Sequence, residues 1–230
     1  MATPPVNPDP INIAVFAKAP VAGTAKTRLI PALGAAGAAR LHRQLVRHAL
    51  RTAHAAALGP VSLWCAPDTR HRFFRALAAT GDIALHTQHG GDLGQRMHHA
   101  LTTLTTSAPT LLIGTDCPML DRALFQACAA ALRQGNDAVF LPAEDGGYAL
   151  VGLRQPQPGL FHDIAWGSGT VMADTRARLR QRGLRWAEPG EVWDVDRPED
   201  LPRLRQTALA GTRDGAPGHT RPEPDGRSPD

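Results

Sequence analysis

Thr110-Leu111-Leu112-Ile113-Gly114-Thr115-Asp116-Cys117-Pro118 turns from an apolar, β-branched run into a glycine and then a carboxylate. Four such residues ended by a glycine read as a short strand buried on both faces. Strands of that kind belong to parallel sheets covered by helices. The residue that follows one stands in the crevice outside the carboxyl ends, where open α/β sheets bind their ligands. Asp116 therefore reads as a carboxylate on a ligand-binding rim. It reads also as a cap for the helix that follows Pro118. Gly114 and Thr115 are small, which suits close approach by a ligand.

Working outward, residues 11–17, 61–65, 83–85, 138–141 and 148–153 read as further strands, and residues 184–187 and 192–195 as short ones. Helical spacing covers residues 35–58, 93–104, 122–132 and 170–182. A helix runs through Phe73, Phe74 and Leu77, and Pro198 opens a last one at its first turn. Strands alternating with helices predict an α/β fold of three layers, α/β/α, around a mainly parallel sheet. Asp145-Gly146-Gly147 between two close strands predicts an antiparallel or irregular insertion. Residues 11–210 read as a single domain, residues 1–10 as a flexible N-terminus and residues 211–230 as a disordered tail.

At 43% apolar residues the 230-residue chain has material for a buried core, and its net charge of +4 is modest. Arg176, Arg178, Arg180 and Arg182 lie on one helix without interleaved aromatics, which favours a solvated face over nucleic-acid binding. Cys65, Cys117 and Cys128 form neither a CxxC pair nor a disulfide framework, so a reducing, cytoplasmic setting is expected. No apolar stretch approaches the roughly 20 residues that span a bilayer, and the Pro-rich first ten residues do not read as a signal peptide.

The loop after the first strand, Lys18-Ala19-Pro20-Val21-Ala22-Gly23-Thr24-Ala25-Lys26-Thr27-Arg28, carries Lys18, Lys26 and Arg28 at a strand exit. Cations there suit a phosphate chain, with Gly23 allowing close backbone approach and Arg28 offering bidentate contacts. The GxxxxGK[ST] spacing of a P-loop is missing. A divalent cation such as Mg²⁺ takes one or two carboxylates, with water and phosphate oxygens completing its shell. Asp194 and Asp196 lie two apart and share a side if their strand is regular. Asp196, nearer the strand exit, is the expected partner of Asp116. Asp145, beside Gly146, Gly147 and Tyr148, reads either as a plain hairpin turn or as a group that binds or deprotonates an acceptor hydroxyl. Trp166-Gly167-Ser168-Gly169-Thr170 reads as a ligand loop or as a helix entry capped by Ser168 or Thr170. His98 and His99 have no zinc-site spacing, and a carboxylate beside Cys117 disfavours a thiolate nucleophile.

Six segments in order, residues 18–29, 91–97, 114–118, 145–148, 166–171 and 194–201, resemble the DUF2064 family of glycosyltransferase A-type proteins, also called radical-SAM/selenodomain-associated transferases. Some members have been proposed as sugar transferases of arsenosugar biosynthesis. The resemblance implies a nucleotide-diphospho-sugar transferase (GT-A, Rossmann-like) fold and a metal-dependent transferase using Mg²⁺ or Mn²⁺. Asp116 would stand for the acid that binds the nucleotide-bound metal. A nucleotide would then be held by Ala17, Lys18, Gly23, Lys26, Arg28, Gly91, Arg96, Thr115 and Asp116, and the metal by Asp116 and Asp196. Asp145, Gly146, Gly147, Tyr148, Trp166 and Thr170 would bind a small-molecule acceptor, with Asp145, Lys26 and Arg28 as the catalytic residues. The family pattern has a more compact Trp-Ser-Thr where this chain has Trp166 to Thr170. The first loop is similar to that of 2-phospholactate guanylyltransferases, which keeps nucleotidyl transfer from a nucleoside triphosphate as an alternative to glycosyl transfer from a nucleotide sugar. A non-catalytic nucleotide-binding protein is the second alternative. Neither nucleic acid nor membrane is an expected partner.

Overall fold

A computed structural model describes residues 9–81 and 83–207. Its seven strands are β1 (Asn12–Lys18), β2 (Val61–Ala66), β3 (Ala84–Thr87), β4 (Thr110–Ile113), β5 (Ala138–Pro142), β6 (Tyr148–Leu153) and β7 (Trp186–Ala187). They form one sheet in the order β3-β2-β1-β4-β6-β5-β7. Every pairing is parallel except those of β6, which runs antiparallel to both β4 and β5. The insertion expected at Asp145 is thus a central strand wedged between two parallel ones. Among the described residues there are six α-helices: α1 (Ile30–Ala56), α2 (Arg72–Thr80), α3 (Leu93–Thr105), α4 (Arg122–Arg133), α5 (Val171–Gln181) and the short α6 (Leu201–Leu204).

Side-chain alternation along the strands divides the core. Ile13, Val15 and Ala17 of β1 face α1, α2 and α4 with Val46, Phe74 and Phe125. Ala14 and Phe16 face α3 and α5 with Met97, Leu101, Met172 and Leu179. Both faces of β1 are covered, so the strand has no polar alternation, as a parallel interior strand should not. A third cluster joins Leu29, Ala38 and Leu45 to Trp193, Val195, Leu201 and Leu204, fastening the C-terminal segment to α1.

Residues 192–195 are not the strand that their composition suggests. Val192 makes one isolated bridge to Ala143. Its N–H donates to the Pro142 carbonyl, and the Val195 N–H donates to the Asp116 carbonyl at 2.8 Å. The segment crosses the ends of β5 and β4 instead of running beside either, so the two-residue alternation of a ladder does not govern Asp194 and Asp196. The arginine-bearing helix also differs from a purely solvated face. Arg176 pairs with Glu188 at 2.6 Å, Arg178 donates to the carbonyls of His162 and Asp163, and Arg180 lies over the Trp186 ring. Apart from Asp9 and Pro10, the expected N-terminal and C-terminal flexible segments lie outside the described residues. Among the described residues no helix is long and apolar enough to cross a membrane.

Candidate functional site

After β1 the chain builds outward through β2 and β3, then returns to place β4 on the other side of β1. That reversal is a topological switch point, where loops from adjacent strand ends diverge and leave a crevice. A cleft of about 680 Å³ occupies it. The exit of β1, the first loop, the N-terminal end of α3, residues 114–117 and the C-terminal segment all line it. Because β6 is antiparallel, its first residue, Tyr148, lies at this same rim opposite Pro142, and Asp145 comes with it.

The centre of the cleft is an ion cluster. Lys26 is left-handed, with φ 50°; its side chain is only 5% exposed, and its ammonium lies 2.9 Å from Asp116 and 2.8 Å from Asp196. It also donates to the Val195 carbonyl. Burial alone would lower the Lys26 pKa, but the charges of Asp116 and Asp196 raise it above the ordinary lysine value. Arg28 approaches the other oxygen of Asp196 at 3.8 Å. Asp194 lies behind the pair. Burial, reinforced by the charges of Asp116, Asp196 and Asp145, pushes its carboxyl up to about 7. Its Oδ1 has no hydrogen-bond partner among the described residues.

Asp116 is not a helix cap. Asp121 caps α4, accepting from the Leu124 N–H at 2.8 Å, and the Asp116 side chain is 41% exposed towards the cleft that it lines. Ala17, Lys18, Lys26, Arg28, Gly91, Arg96 and Thr115 line the cleft with it. At its far wall Asp92 caps α3 through the Gln95 N–H at 2.7 Å, and Arg96 donates to the Gly90 carbonyl at 3.0 Å.

Three expected contacts fall elsewhere. Gly23, at φ +88°, shapes the first loop without lining the cleft. Gly146 packs on Gly169 so closely that a Cβ would stand 2.0 Å from its carbonyl oxygen. Thr170 precedes α5, its hydroxyl donates to Asp174 at 3.1 Å, and it lines neither the cleft nor the chamber beside it. That chamber, about 200 Å³, is lined by Asp145, Gly147, Tyr148 and Trp166 among others, and shares Phe16, Leu93, Gly114, Tyr148, Ala149 and Asp194 with the cleft.

The sequence reading did not include His42. His42, on the Ala-rich α1, hydrogen-bonds through Nε2 to the Lys18 carbonyl at 2.9 Å, and burial holds it below the ordinary imidazole pKa. A histidine in a helical apolar stripe carries no mark of this role. Asp196 is the expected partner of Asp116 because it lies nearer the strand exit, and the structure places Asp194 in the cleft lining as well. Burial and Asp194 push the Cys117 thiol up to about 12, which disfavours its thiolate form.

The comparisons with known proteins agree with this fold. The family model described as "Uncharacterized protein conserved in bacteria (DUF2064)" matches residues 49–168. The crystal structure of a "putative nucleotide-diphospho-sugar transferase" from Desulfovibrio desulfuricans G20 superposes with a TM-score of 0.78 at 29% identity, covering 87% of this chain and 92% of that one. A 4-diphosphocytidyl-2C-methyl-D-erythritol synthase from Anaerococcus prevotii matches at TM-score 0.55 and 12% identity, over 84% of this chain and 94% of that one. The inositol-1-phosphate CTP transferase from T. maritima matches at 0.53 and 10%, over 84% and 91%. These two share the fold. No curated protein matches the sequence.

Proposed function

The chain belongs to the DUF2064 family, and with its switch-point cleft as the second premise we propose that it is a metal-dependent transferase. In this reading the donor is a nucleotide diphospho-sugar and the sugar passes to a small-molecule acceptor. The observation that carries it is the convergence of Lys26, Asp116, Asp194 and Asp196 from three distant segments in one cleft. The likeness to the Desulfovibrio transferase, at 29% identity over 87% of the chain, supports the choice of donor.

Lys18, Lys26, Arg28 and Arg96 supply the positive charge that a diphosphate requires. Asp116 and Asp196 flank the Lys26 ammonium, and Asp194 behind them keeps an unpartnered buried oxygen. Among the described residues no three such side chains form a ready cage, so a hard divalent cation here would take two carboxylates and complete its shell with water and phosphate oxygens. Asp116 and Asp196 would hold Mg²⁺ or Mn²⁺, which when bound would neutralise leaving-group charge as a Lewis acid. Asp145 lies on the chamber side, where an acceptor hydroxyl would enter. The acceptor oxygen forms a bond to sugar C1, the C1–O bond to phosphate breaks, and the nucleoside diphosphate leaves with that electron pair. The hydroxyl proton passes to the Asp145 carboxylate.

Thermal-shift titration with Mg²⁺ or Mn²⁺ and panels of nucleotide sugars and nucleoside triphosphates tests this reading. A metal-dependent rise in Tm with a nucleotide diphospho-sugar is expected, together with its loss in Asp116→Ala. Pyrophosphate release from a nucleoside triphosphate would replace glycosyl transfer by nucleotidyl transfer. A metal-dependent response to no nucleotide at all would overturn both.

A further inference from the structure

The chamber beside the cleft differs from it in chemistry. Its volume is about 200 Å³, and Phe16, Tyr148 and Trp166 give it aromatic walls, with Met97 among the apolar groups between them. Trp166 is held there because Gly94 of α3 has no side chain: a Cβ at Gly94 would stand 2.7 Å from the indole ring. Tyr148 meets Trp166 edge to face at 6.4 Å and Phe140 at 5.1 Å, so the wall is a packed aromatic unit. Two carboxylate residues, Asp145 and Asp194, line the chamber, and among the described residues no lysine, arginine or histidine does. The cleft next door has four lysines and arginines.

Two polar atoms in this wall lack the partners that buried groups normally have. Among the described residues neither the Tyr148 hydroxyl nor Asp194 Oδ1 has a hydrogen-bond partner, and both are buried. One is a donor and acceptor, the other an acceptor. Both atoms lie beneath the surface of the wall, so a ligand O–H or N–H would satisfy them only after their side chains turn towards the chamber.

We infer that this chamber is the acceptor subsite, and that it takes a neutral or cationic molecule with a ring-sized apolar body bearing a hydroxyl or amine, not a phosphorylated acceptor. The inference rests on the transferase reading for the word acceptor, while the chemistry of the pocket stands apart from it. A cavity of about 150 Å³ accommodates benzene, so this one admits a six-membered ring with a short substituent. Aromatic faces attract cations, whereas a phosphate entering between Asp145 and Asp194 would meet two acidic side chains and, among the residues lining the chamber, no lysine, arginine or histidine.

Three probes of matched shape test the inference: benzylamine, benzyl alcohol and benzyl phosphate, titrated into the full-length ¹⁵N-labelled protein. The indole N–H resonances report binding, with that of Trp166 assigned by Trp166→Phe. Benzylamine and benzyl alcohol should move the Trp166 resonance and leave those of Trp64, Trp186 and Trp193 in place. Benzylamine should bind at least about tenfold tighter than benzyl phosphate, and Asp194→Asn should shrink that ratio. Equal or tighter binding of benzyl phosphate at Trp166, or no movement of that resonance with any probe, would overturn the inference. Nucleotide-sugar thermal shifts on the same sample separate the two claims. Probe binding without a nucleotide response refutes the transferase reading and leaves the pocket chemistry standing, and the reverse pattern refutes the pocket chemistry alone.

Discussion

Lys26 shows why single residues in this site resist reading from sequence. Three cations in the first loop suggest a phosphate grip, yet only the fold reveals that the Lys26 ammonium is already bound between Asp116 and Asp196. Removing it in Lys26→Met leaves two carboxylates without their counter-charge. Loss of one partner of a buried pair costs about 3–5 kcal/mol, but Asp116 and Asp196 are 41% and 37% exposed, so solvent screening reduces the expected loss to roughly 1–3 kcal/mol. Millimolar Mg²⁺ should restore more stability to this variant than to the wild type, as chemical denaturation in its presence and absence would show. Asp194 gives the opposite sign. Its folded pKa is raised to about 7, so the fold favours its protonated form. The associated stability is fully present below the unfolded value near 3.8 and is lost as pH rises through 7. At 1.36 kcal/mol per unit the ceiling is about 4 kcal/mol. Asp194→Asn should therefore stabilise the protein by roughly 2–4 kcal/mol at pH 8 and change little at pH 4, which urea titrations at the two pH values would measure.

At the scale of elements, most of the sheet was legible because its strands are short buried runs set between turn residues. β6 falls at residues 148–153 as read, and the turn at Asp145 rightly pointed to an antiparallel insertion. The segment at residues 192–195 was misread because a Val-rich run looks the same whether it joins a ladder or crosses the strand ends. What decides between them is the partner, here the carbonyls of Pro142 and Asp116. Gly94 illustrates another gap. A glycine in the first turn of a helix reads as a weak helix former, with no hint that an indole needs the space. In Gly94→Ala the new Cβ would stand 2.4 Å from the Phe161 carbonyl oxygen and 2.7 Å from Trp166. The expected cost is about 1–3 kcal/mol from overpacking. The displaced Trp166 should lose the benzylamine-induced change in its indole resonance, while the nucleotide-sugar thermal shift, set by the cleft, persists.

Over the whole molecule the site exists only because the C-terminal segment is pressed onto a rim built by the first half of the chain. Asp116 and Lys26 come from the exits of β4 and β1, while Asp196, which pairs with Lys26, and Asp194 behind it lie far downstream. The third core cluster is the clamp. Trp193 is buried against α1 and the C-terminal helix, Arg203 covers its ring at 4.4 Å, and the same guanidinium grips Glu144 at 2.7 and 2.9 Å. Trp193 adjoins Asp194, so loosening the ring frees the carboxylates as well as the core. Trp193→Ala should cost about 3–5 kcal/mol as a large-to-small core change. Phe74→Ala, on the buried face of α2 and not among the residues lining the cleft, removes a fully buried ring of comparable worth. At a temperature where both variants remain folded, Trp193→Ala should lose the metal-dependent nucleotide shift and Phe74→Ala should keep it. Equal retention in both would mean that the carboxylates hold their positions without the clamp, anchored by the Val195–Asp116 backbone bond and the Lys26 ion pairs alone.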